Sequence, residues 1–279
     1  MTEAQGQREQ VVPVCPRHPD RESYVRCQRC ERPTCPECQR VAPVGIQCVD
    51  CVRDAARTAP RTRTAFGGRP TDGRPLVTWV IIGLCVLGNV LQRLPRAGEG
   101  LTNAGAFVPF LVPTEPWRLV TSAFLHDSQS LVPFHLALNM YVLWMVGPPL
   151  ERVLGRGRFV ALYGISAIGG GVGFELLAPS GAMVGASGAV FGLFAVMVLV
   201  QRRMGFDLGP LFAVLGINLV IGFVFPGIAW QGHLGGLVAG ALGGLAVVRG
   251  PRGRQAWVQW CLLAALAAVL LAVAFVASP

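Results

Sequence analysis

Seven stretches of the chain are apolar and long enough to read as membrane-spanning helices: 76–94, 132–150, 158–178, 184–201, 208–225, 228–248 and 256–277. A hydrocarbon core of about 30 Å takes roughly 20 apolar residues in helical form. The connections between these stretches are short, with one exception. Residues 95–131 carry Pro95, Pro109, Pro113 and Pro116, so this stretch is not a simple spanning helix. With Phe107, Phe110, Leu111 and Trp117 it reads as an amphipathic segment lying in the outer interface. Ahead of the first apolar stretch the pattern changes, and residues 1–75 are polar and rich in arginine. The predicted fold class is an all-α polytopic membrane protein with a small polar head.

Composition agrees with that division. Of 279 residues, 52% are hydrophobic and 14% charged, against about 25% charged in a soluble domain. All 24 basic residues are arginine, and the formal net charge is +9. A nucleic-acid partner is not expected, because most arginines outside the head sit in short loops. There they report topology. Arginines precede span 1 and occur as Arg152, Arg156 and Arg158 between spans 2 and 3. Arg202 and Arg203 lie between spans 4 and 5, and Arg249, Arg252 and Arg254 between spans 6 and 7. The 3–4 and 5–6 loops have none. The alternation predicts the N-terminus inside and the C-terminus outside. Met1–Gln10 lacks the apolar core of a signal peptide, so the head is expected in the cytoplasm.

Seven of the nine cysteines lie within residues 15–51. In a reducing compartment such a cluster points to metal rather than disulfides. The pattern is four pairs with two intervening residues each: Cys15 and His18, Cys27 and Cys30, Cys35 and Cys38, Cys48 and Cys51. Each pair offers two soft ligands, and tetrahedral Zn²⁺ takes four. Eight ligands make two closed, structural Zn²⁺ sites; an unligated cluster of buried or disulfide cysteines is the competing reading. A segment this short depends on metal for its folding energy. The run resembles a B-box-type zinc domain. That resemblance implies alternate pairing, with Cys15, His18, Cys35 and Cys38 on one ion and Cys27, Cys30, Cys48 and Cys51 on the other. Sequential pairing remains open on spacing alone. Such modules ordinarily contact proteins, so either a cytoplasmic partner or a role as a cap on the membrane body follows.

Polar side chains inside a membrane are costly and mark function. His135 and Asn139 lie near the start of span 2, Ser187 near the start of span 4 and His233 near the start of span 6. All three spans run inward, so the four residues share one level just below the outer surface. His135 and Asn139, four apart, face the same side of their helix. Gly185 and Gly188 flank Ser187 and let a helix or a substrate backbone come close. Gly232, Gly236, Gly240 and Gly244 form a smooth stripe beside His233, with Gly185, Gly188 and Gly192 as a plausible partner. Serine needs a base to act as a nucleophile, and His233 can take its proton and return it to a leaving amine. No buried Asp or Glu suits a third role, so a Ser187–His233 dyad is expected, with no catalytic cofactor. Asn139, His135 and the Ser187 N–H are candidate oxyanion donors, with Gly185 as an auxiliary position.

These residues resemble those of rhomboid proteases. The likeness rests on Trp117-Arg118, His135-x3-Asn139, Glu151, Gly-x-Ser-Gly at 185–188, and His233-x2-Gly236-x3-Gly240. It implies a six-helix core that cleaves transmembrane helices of other membrane proteins near the outer surface. It also implies that Phe191 packs under the His233 ring, and that span 5 and a cap near Pro226 gate entry. Departures are a longer stretch from Asp127 to Pro133, Phe191 where many members have Tyr, and a seventh helix. The expected domains are a zinc-binding head at 1–55, an Arg-rich flexible linker at 56–75, a rhomboid core at 76–250 and an added helix at 251–279. The expected partners are transmembrane substrates and the lipid bilayer, in the inner membrane of a bacterium. Two other readings are a catalytically silent rhomboid-like binder and a zinc-head adaptor on a passive anchor.

Overall fold

The computed structural model describes residues 12–59, 63–70, 73–95, 97–128, 134–224 and 227–278. They fall into two compact units that divide between Arg61 and Thr62.

The smaller unit holds two β-hairpins and a helix. Strands β1 (Val14–Cys15) and β2 (His18–Glu22) pair antiparallel, as do β3 (Gln39–Ala42) and β4 (Gly45–Cys48). Helix α1 (Val49–Thr58) follows β4 directly. Gly45, at φ +109°, closes the second hairpin in a backbone region that side chains rarely adopt. The interior consists almost wholly of cysteine, while Val41 and Tyr24 lie open to solvent. So little buried apolar surface cannot offset the entropy of ordering the chain.

The larger unit is a helix bundle with seven long helices. They are α2 (Leu76–Gln92), α5 (Phe134–Leu154), α6 (Arg156–Leu177), α7 (Ser187–Met204), α8 (Gly209–Val224), α9 (Trp230–Val248) and α10 (Trp257–Ala277). Each of the seven predicted stretches is one of these helices. Four of them, α6, α7, α9 and α10, are long and apolar enough to cross a membrane by length and composition, and α2 and α8 are shorter apolar helices. The α5 helix is less apolar towards its end. It runs through Pro148 and Pro149 to Leu154, past the expected limit at residue 150. That extra turn carries Glu151, whose buried carboxylate accepts from the Val77 and Thr78 N–H groups and the Thr78 hydroxyl at 2.9–3.0 Å. It therefore caps the start of α2, whose first N–H groups have no partner within the helix.

Two short helices, α3 (Ala97–Gly105) and α4 (Arg118–Thr121), occupy the long connection between α2 and α5. This segment is only partly the surface-lying stretch that its pattern suggests. Phe110 and Trp117 are exposed, but Phe107, Val112 and Leu119 are buried with Val172 and Phe174 of α6. Arg118 is buried too, bonded to the Ala106 carbonyl at 2.7 Å and paired with Glu115. Part of the stretch expected as a flexible linker is also ordered. Residues 63–70 form a tight turn, with Phe66 buried and Gly68 seated on the Leu154 carbonyl.

The bundle centres on α9, which packs against α6 and α7 at backbone contact. A Cβ added at Gly236 or Gly240 would overlap the Gly188 or Gly192 backbone of α7. The adjoining side of α9 meets α6: a Cβ at Gly173 would lie 2.6 Å from the Gly235 Cα, and one at Gly235 would overlap the Gly169 carbonyl. By contrast, nothing lies within 4 Å of a Cβ at Gly164 of α6. Gly240→Ala is therefore expected to lower stability by about 1–3 kcal/mol, and Gly164→Ala to change it by less than about 0.5 kcal/mol. Unfolding midpoints of the two variants in detergent check this, and equal midpoints would contradict the packing argument.

Candidate active site

Ser187 is the first residue of α7, three residues later than the expected start of that span. Gly185, at φ +132°, prevents the helix from beginning earlier. The Ser187 N–H thus belongs to the first turn, where amides lack intrahelical acceptors. The approach to Ser187 is fixed from outside α7. Met183 exchanges two backbone hydrogen bonds of 2.9 Å with Phe107, and the Gly185 N–H donates to the Ser122 carbonyl at 2.9 Å.

A small cavity of about 40 Å³ opens beside Ser187. His135 and Asn139 of α5, Phe191 of α7, Asn218 of α8 and His233 of α9 also line it. No carboxylate does, among the described residues. The volume admits water, which needs about 10–15 Å³ on this measure. His233 is buried, and its ring stacks on Phe191 at 4.3 Å and 9°. Gly222 of α8 lies against the same ring, so that a Cβ there would sit 3.0 Å from Nδ1. The His135 Nδ1 accepts from the Asp127 N–H at 3.4 Å. That bond selects the tautomer with the proton on Nε2. Nε2 faces Gly185, where an added Cβ would lie 2.9 Å away. Asn139 donates through its amide to the His135 carbonyl at 2.8 Å, which holds its side chain along the helix.

Residues 113–250 match the rhomboid domain. Rhomboid protease GluP of Bacillus subtilis (strain 168) is 32% identical over 219 residues, which make up 73% of this chain and 40% of that protein. Putative rhomboid protease YdcA of the same organism is 33% identical over 172 residues, 60% of this chain and 80% of that one. The chain belongs to the rhomboid family. Rhomboid protease AarA of Providencia stuartii is 29% identical over 165 residues, 48% of this chain and 57% of the relative. The chain thus spans less than half of GluP and most of YdcA.

Two residues escaped the sequence reading, Asn218 in this cavity and His126 beside it. Asn218 is the only polar side chain of α8, and that isolation is a signal. His126 gave no signal, since it lies in a loop. Its ring is buried 5.3 Å from that of His135, and neither of its nitrogens has a hydrogen-bond partner among the described residues. Its backbone is clamped by the Gln92 amide through two bonds of 3.0 Å. Pro226 and residues 129–133, which bear on gating and on the outer approach, lie outside the described residues.

In the head, the eight predicted ligands gather as alternate pairs. Cys15, His18, Cys35 and Cys38 form one set and Cys27, Cys30, Cys48 and Cys51 the other, with all ligand atoms of a set within 4.8 Å of one another. The Cys35 and Cys38 sulfurs lie 3.3 and 3.4 Å from His18 Nδ1, and Cys30 and Cys48 are 3.8 Å apart. Ligands about 2.3 Å from a tetrahedral centre stand about 3.8 Å apart, so both sets fit a metal ion. Their electrostatics fit as well. Burial raises the Cys15 thiol, but N–H donors from Cys35 and Arg17 outweigh it and bring the group down to about 6. Arg32 lowers Cys30 through a 3.4 Å bond. Burial and neighbouring cysteines push Cys38 up to about 11 and Cys51 to about 12. Each set thus holds one cysteine whose thiolate is favoured and one whose thiolate is disfavoured, and a bound cation would favour the thiolate in both. Alternate pairing predicts the outcome of double substitutions. Cys15→Ser with Cys35→Ser should remove one metal equivalent of two, whereas Cys15→Ser with Cys27→Ser should remove both. Metal analysis of the purified chain checks this, and sequential pairing would give the reverse.

Proposed function

We propose that the chain is an intramembrane serine endopeptidase that cleaves transmembrane helices of other membrane proteins near the outer face. What carries this reading is a single pocket shared by Ser187, His233, His135 and Asn139, drawn from three helices of a rhomboid-family chain. In the proposed mechanism, His233 takes the Ser187 proton as the hydroxyl attacks the scissile carbonyl. Phe191 holds the imidazole flat while it carries charge. The oxyanion is met by the His135 Nε2–H, the Asn139 amide and the Ser187 N–H, with Gly185 leaving room for the substrate backbone. His233 then protonates the leaving amine, and water entering the pocket releases the acyl group.

The remaining readings follow the same frame. Residues 76–250 form the protease core and 251–279 the added helix. The head at 1–55 binds two structural Zn²⁺ ions, for which sulfur-rich tetrahedral sets are suited. The arginine pattern supports a cytoplasmic head in a bacterial inner membrane.

The test is labelling of the full chain in detergent by a fluorescent serine-reactive phosphonate, with cleavage of a generic single-span substrate in parallel. Ser187→Ala and His233→Ala should each lower cleavage by about 10³-fold or more and abolish labelling. Asn139→Ala and His135→Ala should lower kcat by about 10–10³-fold. A folded, metal-loaded wild type that neither labels nor cleaves would sink the protease reading in favour of a silent binder or adaptor.

A further inference from the structure

A second cavity, of about 770 Å³, lies at the end of the bundle away from Ser187. Its walls are the 63–70 turn, the junction of α5 with α6 and the start of α10. Helix α6 runs from this cavity towards the level of Ser187 over 22 residues, roughly 33 Å at 1.5 Å per residue. The size falls within the range of about 300–1,000 Å³ typical of small-molecule sites.

The lining is unusual in its charge. Arg63, Arg69, Arg156 and Arg158 contribute to it, with Trp257 and Trp260, and none of its described residues is acidic. Glu151, which also caps the start of α2, pairs with Arg156 at 3.6 Å, so the basic excess of the lining rests on Arg63, Arg69 and Arg158. Two of the basic groups, Arg158 and Arg63, are also held in place. Arg158 is 5% exposed and donates through Nε to Gln259 at 2.6 Å. Gln259 is itself fully buried and fixed by the Val247 and Pro251 carbonyls. The Arg158 guanidinium stands 5.5 Å from the Trp260 ring centre and leans on Gly67, where a Cβ would lie 3.4 Å from Nη2. Arg63 donates to the Gly67 carbonyl at 3.2 Å.

A buried guanidinium, that of Arg158, with like charges at the cavity rim is stabilised by an anion. Guanidinium groups match the oxygens of a phosphate. Half-exposed tryptophans at the start of an apolar helix mark the level of lipid headgroups. Beyond them α10 presents a largely exposed apolar wall, only 11% buried, along which acyl chains can lie. A headgroup ammonium would be repelled by Arg63, Arg69 and Arg158. We propose that this cavity binds the phosphodiester of an anionic phospholipid with a headgroup that lacks an ammonium, such as phosphatidylglycerol.

The experiment is native mass spectrometry of the full chain released from micelles containing equal phosphatidylglycerol and phosphatidylcholine. The wild type should retain phosphatidylglycerol over phosphatidylcholine by about tenfold or more. Arg63→Gln with Arg69→Gln, both exposed positions, should bring the ratio near one at unchanged helix content. Arg202→Gln with Arg203→Gln, which removes equal charge at the same end of the bundle, should leave the ratio as in the wild type. Equal retention of both lipids by the wild type would overturn the proposal, as would equal loss in the two double variants. Displacement of the lipid by equimolar inorganic phosphate would overturn the lipid as source and make this a site for the free ion.

Discussion

The close approach of α9 to α6 and α7 is the contact on which the bundle depends. Lipid tails are as apolar as leucine, so burying side chains gives helices in a bilayer little reason to associate. Dispersion contact and interhelical bonding must supply the attraction, and both strengthen when backbones touch. The glycines at 188, 192, 236 and 240 permit that contact with α7, and those at 169, 173 and 235 permit it with α6. The pairing also sets an axial register. Ser187 lies one residue before Gly188 and His233 three before Gly236, so the contact that joins the helices brings both side chains to one pocket. Adhesion and alignment are a single event.

The two ends of the bundle are finished by different means. At the Ser187 end, backbone hydrogen bonds from the long connection hold the chain before α7, and the buried polar side chains of α2 hold that connection. Cys85 meets the Ala123 carbonyl, Gln92 clamps His126 and Asn89 reaches Asp127. At the other end, carboxylate and guanidinium groups do the work, with Glu151 capping α2 and Arg158 locked to Gln259. Buried polar groups at both ends satisfy backbone that would otherwise face hydrocarbon.

Much of this was legible because apolar runs are long signals. The seven helices and the glycine stripe at 236 and 240 could be read directly. The side of α9 that meets α6 could not, since Gly235 falls off the four-residue stripe and Gly169–Gly171 has no period of its own. Helix α5 runs on through Pro148 and Pro149 beyond the expected limit at residue 150, and the added turn carries Glu151 to the start of α2. The composition of residues 56–75 hid a turn anchored by one buried residue, Phe66. His126 was invisible because its meaning depends on Gln92 and His135, neither of them near it on a common helix face. In the head, spacing gave the eight candidate ligands, but only the fold decides which pairs share a set.

The paired backbone bonds between Phe107 and Met183 also dictate an order of assembly. Helices α5 and α6 lie between the two residues in the chain, so the bridge closes only after that hairpin has entered the membrane and turned back. Until then, neither Gly185 nor the residue it presents has its final position. A chain emerging during synthesis therefore carries its serine in an unset loop. The final setting of Ser187 thus comes late, as a property of the completed bundle.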